Sequence, residues 1–297
     1  MSLSGVQMHS SRESPFEVAL RPMRASDIDA GLRLCRASGW NQVARDWQQF
    51  LALAPDGASV AELDGRVVGT VATVRYGMRF GWIGMVLVDP AERGRGIGTR
   101  LLEQGLTLLA DMPLVRLDAT PAGHGIYLKR GFAEECRLHR FQATVPEGLT
   151  APPASIRAMT QADLPEVVAL DEEIFGANRA AMLHWLWNGA PGYAWIARDD
   201  ARLAGYAFGR HGHAFEHLGP VVAGDARTAR ELATACLRSH AGRAFIVDAP
   251  LDAPAWVRAL EALGFREQRL LIRMAHGRGS IPGDRSRQFA SLGPEFG

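Results

Sequence analysis

The chain has 297 residues, about twice the ~150 residues of a typical domain, so two globular domains are expected. Hydrophobic residues make up 47% of the sequence and charged residues 22%, which excludes wholesale disorder and low-complexity fibrous proteins. The 33 basic and 32 acidic residues nearly cancel, so the charge indicates no nucleic-acid partner and no anionic membrane. Three widely spaced cysteines without C-x-x-C spacing predict a reducing compartment and no metal site.

The N-terminal segment, residues 1–15, is rich in serine and other polar residues and is predicted to be disordered. It lacks the apolar stretch of a signal peptide. No apolar run approaches the ~20 residues that a membrane span needs. We therefore expect a cytoplasmic protein without a membrane partner.

Alternating strand and helix patterns predict a first domain over residues 16–145. It begins with a strand over 17–23, a helix capped by Ser26 or Asp27 and a second helix over 42–54. Three strands follow within 58–89, with turns at Gly65 and Gly77. The third, over 82–88, is almost wholly apolar, as expected for a central strand covered on both faces.

The rest of this domain is predicted as a leucine-rich helix, a strand over 114–118, a short helix that Gly131 ends, and a last strand from Phe132. Residues 146–154, PEGLTAPPA, have the composition of a linker. A tail over 277–297 is predicted to be flexible through about Arg287, after which QFASL is a candidate for docking onto a domain.

The second half, residues 155–276, repeats the first. Arg21–Asp27 is echoed by Arg157–Asp163, LDATPA at Leu117 by VDAP at Val247, and KRGF at Lys129 by ALGF at Ala262. These matches fall in one order with offsets of 130 to 136 residues, which chance would rarely produce. The sequence therefore predicts a duplicated fold.

A glycine-rich segment stands between the apolar strand and the leucine-rich helix: Arg93-Gly94-Arg95-Gly96-Ile97-Gly98. A helix N-terminus has free N–H groups and a positive dipole end, and glycines let an anion approach the backbone. The spacing fits neither the lysine-containing P-loop nor the G-x-G-x-x-G dinucleotide fingerprint. Taken alone, the segment is equally consistent with a tightly packed turn.

Its context resembles the GCN5-related N-acetyltransferase (GNAT) superfamily, whose acetyl-CoA loop R/Q-x-x-G-x-G/A is matched by Arg93, Gly96 and Gly98. The stretch from Tyr127 to Phe132 is similar to the family's Y-x-x-x-G-F. The resemblance implies an α/β protein of two GNAT-like domains, each a mixed, mostly antiparallel twisted sheet flanked by helices. It also implies acetyl-CoA as the co-substrate and no metal.

The resemblance further implies a role for individual residues. The backbone of Val86, Leu87 and Val88 would pair with the pantetheine arm of coenzyme A as an added strand does. The pyrophosphate would lie on the backbone amides of the loop and helix start, namely Arg93, Gly94, Arg95, Gly96, Ile97, Gly98 and Thr99. Tyr127 would protonate the leaving thiolate.

The remaining roles are less specified by the sequence. Asp118 and His124 are alternative candidates for the base that deprotonates the amine, although Asp118 is equally a helix N-cap candidate and His124 a solvated loop residue. Trp40 and Asn41 lie where the acceptor pocket of GNAT folds is commonly found. The second domain lacks the R-x-x-G-x-G loop and has Leu260 in place of Tyr127, so it is expected to be degenerate.

These features predict an acetyl-CoA-dependent N-acetyltransferase that acts on a small-molecule amine by direct transfer in a ternary complex. A non-catalytic acyl-CoA-binding regulator and an enzyme acting on a protein amine are the alternatives. The expected assembly is a monomer or a homodimer.

Overall fold

The computed structural model describes residues 18–200 and 202–297. The predicted disordered segment, residues 1–15, lies outside this range. The first half follows the predicted order of elements, with ends shifted by a few residues. Its elements are β1 (Ala19–Pro22), α1 (Ile28–Ala37), α2 (Ala44–Leu53), β2 (Ala58–Leu63), β3 (Arg66–Tyr76), β4 (Phe80–Val88), α3 (Ile97–Leu108), β5 (Leu114–Ala119), α4 (Pro121–Leu128) and β6 (Ala133–Thr144).

The second half has the same order of elements, followed by one extra strand near the C-terminus. Its elements are β7 (Ile156–Ala158), α5 (Leu164–Phe175), α6 (Ala180–Gly189), β8 (Trp195–Asp199), β9 (Arg202–Arg210), β10 (Glu216–Ala223), α7 (Ala226–Arg238), β11 (Ala244–Pro250), α8 (Pro254–Ala262), β12 (Arg266–Gly277) and β13 (Gln288–Ala290). The duplication predicted from short sequence echoes is therefore present in the fold.

The first echoed motif forms the same helix start in both halves. The Asp27 carboxylate accepts the backbone N–H of Arg24 at 2.8 Å and two hydrogen bonds from the Arg21 guanidinium. In the second half Asp163 accepts from the N–H of Thr160 at 2.8 Å and from Arg157. Each carboxylate thus satisfies a backbone donor at a helix start and ties the preceding strand to it.

The two halves form one sheet because each gives its last strand to the other. The strand order is β1-β2-β3-β4-β5-β12-β6-β11-β10-β9-β8-β7, and β13 pairs with β10. β12 lies antiparallel beside β5, where β6 would complete the first half, and β6 lies antiparallel beside β11. The two domains therefore share a continuous sheet instead of meeting as separate units.

The tail packs against both halves. The N–H of Asp284 donates to the carbonyl of Ile174 at 2.8 Å, so the part predicted to be flexible lies along the end of α5. The QFASL piece docks, as predicted, with β13 antiparallel to β10. Beyond it, the Phe296 ring stacks on Phe50 of α2 with the ring centroids 4.5 Å apart.

Candidate active site

A cleft opens where β4 separates from β5. The two strands pair in parallel only at Gly81–Val115 and Trp82–Arg116. Met85 then adopts φ of 55°, a conformation uncommon outside glycine, and its carbonyl accepts a hydrogen bond from the Thr70 hydroxyl at 2.8 Å. The register between β3 and β4 shifts at this point, which marks a bulge just beyond the residues of β4 that pair with β5. The resulting cavity has a volume of about 830 Å³.

The glycine loop forms one end of this cavity. Gly94 and Gly96 have φ of 79° and 78°, values that favour glycine, and Gly96 directly precedes the first residue of α3. A Cβ atom on either glycine would meet nothing within 4 Å, so these faces of the loop are open. Open backbone next to a helix N-terminus suits an anion such as a pyrophosphate. Tight packing therefore does not explain these glycines.

Most of the predicted coenzyme A residues line this one cavity. They are Val86, Leu87, Val88, Arg93, Gly94, Gly96, Ile97, Gly98 and Thr99, and Trp40, Asp118 and Tyr127 line it as well. Arg95 does not, because its guanidinium turns back to the carboxylate of Glu92. Arg93 is exposed and donates to the carbonyl of Val88 at 3.2 Å and the hydroxyl of Ser38 at 3.3 Å.

Tyr127 is held rigidly at the end of α4. The N–H of Phe132 donates to the carbonyl of Tyr127 at 3.2 Å, and the N–H of Gly131 donates to Leu128 at 3.1 Å, which is a Schellman C-cap. The Tyr127 ring packs edge-on against Phe132. Its hydroxyl has no hydrogen-bond partner among the described residues, and burial raises its pKa to about 12. Tyr127 is therefore protonated at neutral pH and lines the cleft.

Asp118 is engaged by the exchanged strand. Its buried carboxylate receives two hydrogen bonds from Arg273 of β12, at 2.8 and 2.9 Å. The carboxylate does not cap α4, whose N-cap residue is Thr120. Arg273 is its counter-ion, and this ion pair joins β5 to β12. This pairing argues against Asp118 as a general base.

His124 points away from the cleft. It lies on α4, not in a loop, and its Nε2 is 2.8 Å from Oε1 of Glu134 at the start of β6. It does not line the cavity. Its position is therefore unsuited to contact a reacting amine.

Both halves match known acetyltransferase domains. Residues 30–132 match the acetyltransferase (GNAT) family, and residues 167–290 match an acetyltransferase (GNAT) domain of a second type. The chain is a tandem GNAT acyltransferase. The resemblance seen in the first half thus extends to the second half, where the loop motif is missing.

Known proteins are similar to this chain over most of its length. The holothin acyltransferase of Pseudoalteromonas sp. (strain SANK 73390) is 26% identical over 249 residues, which cover 82% of this chain and 82% of that protein. A solved Pyrococcus horikoshii structure described as an acetyltransferase covers 98% of this chain and 100% of its own, with 21% identity and a TM-score of 0.80. A tandem GNAT protein from the clavulanic acid biosynthesis pathway covers 89% and 100%, with 19% identity and a TM-score of 0.65. At these identities the two structures show the fold alone.

The second GNAT domain has its cleft filled by the chain itself. β10 and β11 pair in parallel at Glu216–Phe245 and His217–Ile246, as β4 and β5 do in the first domain. Further along β10, Val221 pairs with Ala290 of β13. Val221 follows the parallel pairing at the same spacing as Val86 does in β4. In the second domain, β13 thus pairs with the part of β10 that is equivalent to Val86 of β4, where the resemblance places the pantetheine arm.

The end of the chain also reaches the cleft of the first GNAT domain, which sequence reasoning missed. Pro294 and Glu295 line the large cavity, and the Trp82 indole donates to the carbonyl of Pro294 at 3.0 Å. A Cβ atom on Gly84 of β4 would lie 2.7 Å from the carbonyl oxygen of Glu295, so glycine is needed there. The Glu295 side chain is buried in an ion pair with Arg210. No local sequence pattern predicts contacts between residues that are 212 positions apart in the chain, as Trp82 and Pro294 are.

Two further observations concern metal ions and membranes. Within residues 18–200 and 202–297, no cluster of three or more His, Cys, Asp or Glu side chains is arranged to hold a metal ion. None of the helices in the same part of the chain is long and apolar enough to span a membrane.

Proposed function

We propose that this tandem GNAT protein transfers an acetyl group from acetyl-CoA directly to a small amine in a ternary complex. One observation carries the proposal: a single cleft joins the open glycine loop, the diverging end of β4 and Tyr127. The loop suits a pyrophosphate, the unpaired edge of β4 suits an extended amide-containing arm, and Tyr127 lines the same cavity.

The residues of the cleft would each act on a different part of acetyl-CoA, which supplies the acyl group as a thioester. Backbone amides between Gly94 and Gly98 would hold the pyrophosphate, and Arg93 would add charge. The backbone of Val86–Val88 would hold the pantetheine arm along β4. An N–H group on this strand would polarise the thioester carbonyl.

The chemical step forms a bond between the amine nitrogen and the carbonyl carbon, and it breaks the bond between that carbon and sulfur. The amine loses one proton to solvent water, and Tyr127 donates one proton to the departing sulfur and regains one from solvent. A thiolate is a fair leaving group because the pKa of a thiol is about 8.5, and a protonated phenol stabilises its developing charge. The proposal assigns no side chain as base, because Asp118 pairs with Arg273 and His124 lies outside the cleft.

The test is release of coenzyme A thiol with a panel of amines, measured for the wild type and Tyr127→Phe. Removing the acid should lower kcat by about 10²- to 10⁴-fold, the usual contribution of general acid–base catalysis. The dissociation constant of acetyl-CoA, measured by calorimetry, should stay within about threefold, since the phenyl ring still packs on Phe132.

A matched control is Tyr193→Phe, which removes a tyrosine hydroxyl that accepts a hydrogen bond from Arg243 in the second domain, away from the cleft. It should leave turnover unchanged. Full activity of Tyr127→Phe would remove the acid role from Tyr127. Acetyl-CoA binding without thiol release across the whole panel would favour the regulator alternative.

A further inference from the structure

A second, smaller cavity adjoins the cleft. Its volume is about 300 Å³, and it shares Trp40, Arg140 and Arg269 with the large cavity. We call it the side cavity. The remaining walls include Arg36 of the first half and Phe215 and Ile246 of the second. A molecule in the side cavity would therefore lie beside the cleft and contact both halves of the chain.

Asn41 fixes the shape of the side cavity. Its side-chain amide donates to the carbonyl of Phe215 at 2.8 Å and accepts the N–H groups of Ala214 and Phe215 at 2.9 and 3.0 Å. The carbonyl of Asn41 also accepts the N–H of His213 at 2.8 Å. The α1–α2 loop is thus clamped to the β9–β10 loop. Asn41 builds the cavity, while its amide group is already hydrogen-bonded.

The side cavity has an excess of positive charge. Arg269 donates to the carbonyl of Gly39 at 3.3 Å and to the Gln268 side chain, and Arg36 donates to the carbonyls of Trp40 and Gln42. Among the described residues, neither guanidinium has a carboxylate partner. Arg140 differs, because Asp248 binds it through two hydrogen bonds of 2.7 Å.

The nearby carboxylates are already paired with other groups. Glu295 pairs with Arg210, Glu267 with His139, and Glu216 with Arg243 and His211. Burial, together with the charge of neighbouring Arg140, lowers the pKa of Arg269 by disfavouring its cation, and the charge of Asp248 offsets this only in part. A bound anion would relieve this cost, and a planar guanidinium suits a carboxylate.

We infer that the side cavity binds the acceptor and that this acceptor carries a carboxylate in addition to its amine. Arg269, with Arg36, binds the carboxylate, and Trp40 and Phe215 contact the carbon skeleton. The amine then lies on the side of the cavity formed by Arg140 and Arg269, which also line the cleft. The substrate class is an amino acid or a similar small amino-carboxylate. This inference rests on the proposed acetyl transfer.

The kinetic test compares acceptors that differ only in the carboxylate: amino acids such as phenylalanine, and the matching amines such as phenethylamine. Arg269→Gln should raise KM for the carboxylated acceptors by about 10- to 100-fold, as expected for losing hydrogen bonds to a charged group, with kcat changed less than about threefold. The rise in KM should be at least about tenfold larger for the carboxylated acceptors than for the matching plain amines. Arg269→Lys should recover part of the loss.

The matched control is Arg266→Gln, the same substitution on the same strand, because Arg266 donates only to backbone carbonyls outside both cavities. It should behave as the wild type. Equal KM values for carboxylated and plain amines, or an unchanged KM in Arg269→Gln, would overturn the inference while leaving the acetyltransferase proposal intact.

A binding measurement keeps the inference testable without turnover. Calorimetry with the coenzyme A complex would compare N-acetylphenylalanine and other N-acetyl amino acids with the matching N-acetyl amines. Preferential binding of the carboxylated members, lost in Arg269→Gln, supports the inference. Binding of both sets equally, or of no carboxylated member, overturns it. Failure of acetyl transfer itself is detected separately, as absence of thiol release.

Discussion

Single residues distinguish the cleft of the first domain from the equivalent region of the second. In the first domain, the loop glycines expose backbone to the cleft and Tyr127 lines it. At the equivalent positions of the second domain, the Asp225 side chain caps α7 by accepting the N–H of Thr228, and Leu260 is buried in the core. Both replacements put a group that stabilises the domain where the first domain has one that faces the open cleft.

Gly96 allows a prediction at this scale. Gly96→Ala should weaken acetyl-CoA binding by about 10- to 100-fold, because a Cβ atom would stand where the pyrophosphate meets the backbone amides. The free energy of unfolding should fall by only the ~1–2 kcal/mol that a non-glycine residue costs in the left-handed region. No atom lies within 4 Å of a Cβ atom at this position, so no steric clash adds to this cost. Calorimetry and urea unfolding measure the two effects.

Gly65→Ala is the control for Gly96→Ala. Gly65 has φ of 73° in the β2–β3 turn, with nothing within 4 Å of a Cβ atom and no contact with the cavity. The substitution should cost similar stability and leave binding unchanged. Equal binding by the two variants would show that the glycine loop does not hold the pyrophosphate.

At the scale of elements, the exchanged strands are joined by equivalent ion pairs. Arg273 of β12 binds Asp118 of β5, and Arg140 of β6 binds Asp248 of β11, each through two hydrogen bonds. All four side chains belong to strands in the middle of the shared sheet, and each pair links one half to the other. The exchange therefore depends on buried charges that are compensated only when both halves are present.

Asp248→Asn should destabilise the protein by about 3–5 kcal/mol at pH 7, because it leaves the Arg140 guanidinium buried without a counter-ion. Burial alone would raise the pKa of Asp248, but Arg140 and His217 hold it well below the usual value. A depressed carboxyl pKa contributes stability above about pH 4, the ordinary value, and loses it as the pH falls. The difference between variant and wild type should therefore shrink from pH 5 to pH 2.

Urea unfolding at several pH values tests this prediction. Asp56→Asn, at an exposed turn position that forms no ion pair with the described residues, should change stability by less than about 0.5 kcal/mol at any pH. A difference between Asp248→Asn and wild type that is independent of pH would mean that the carboxylate charge is not what stabilises the pair.

At the scale of the whole molecule, the C-terminal tail contacts the clefts of the two domains in different ways. Its strand β13 pairs with β10 in the second cleft, and its last residues line the first cleft without filling it. The second domain also supplies Arg269 to the side cavity. The second domain thus completes the wall of the side cavity next to the first cleft.

Acetyl-CoA should accordingly bind with a stoichiometry of one per chain in calorimetry. The physical reason is that the edge of β10 that would pair with a pantetheine arm already pairs with Ala290. The Gly96→Ala variant should show no second, unaffected site. A stoichiometry of two would mean that the tail leaves the second cleft during binding.

Much of the site could be predicted because its signals are local. The order of elements follows from hydrophobic periodicity, and the glycine loop, the helix start after it and the tyrosine before Gly131 lie within 40 residues of one another. Asp118 and His124 could not be assessed in this way. Their partners, Arg273 and Glu134, depend on which strand lies next to β5 and on which face of α4 is turned inward.

The sequence by itself determined the duplication, the α/β class, the glycine loop before α3 and the absence of such a loop from the second half. Only the tertiary structure decided the strand exchange, the course of the tail and the side cavity. The physical reason is that β6 and β12 have equivalent patterns and each carries an arginine that neutralises an aspartate of the neighbouring strand. By its local sequence pattern, either strand could pair with β5 or with β11. Which strand pairs with which therefore depends on contacts between residues far apart in the chain.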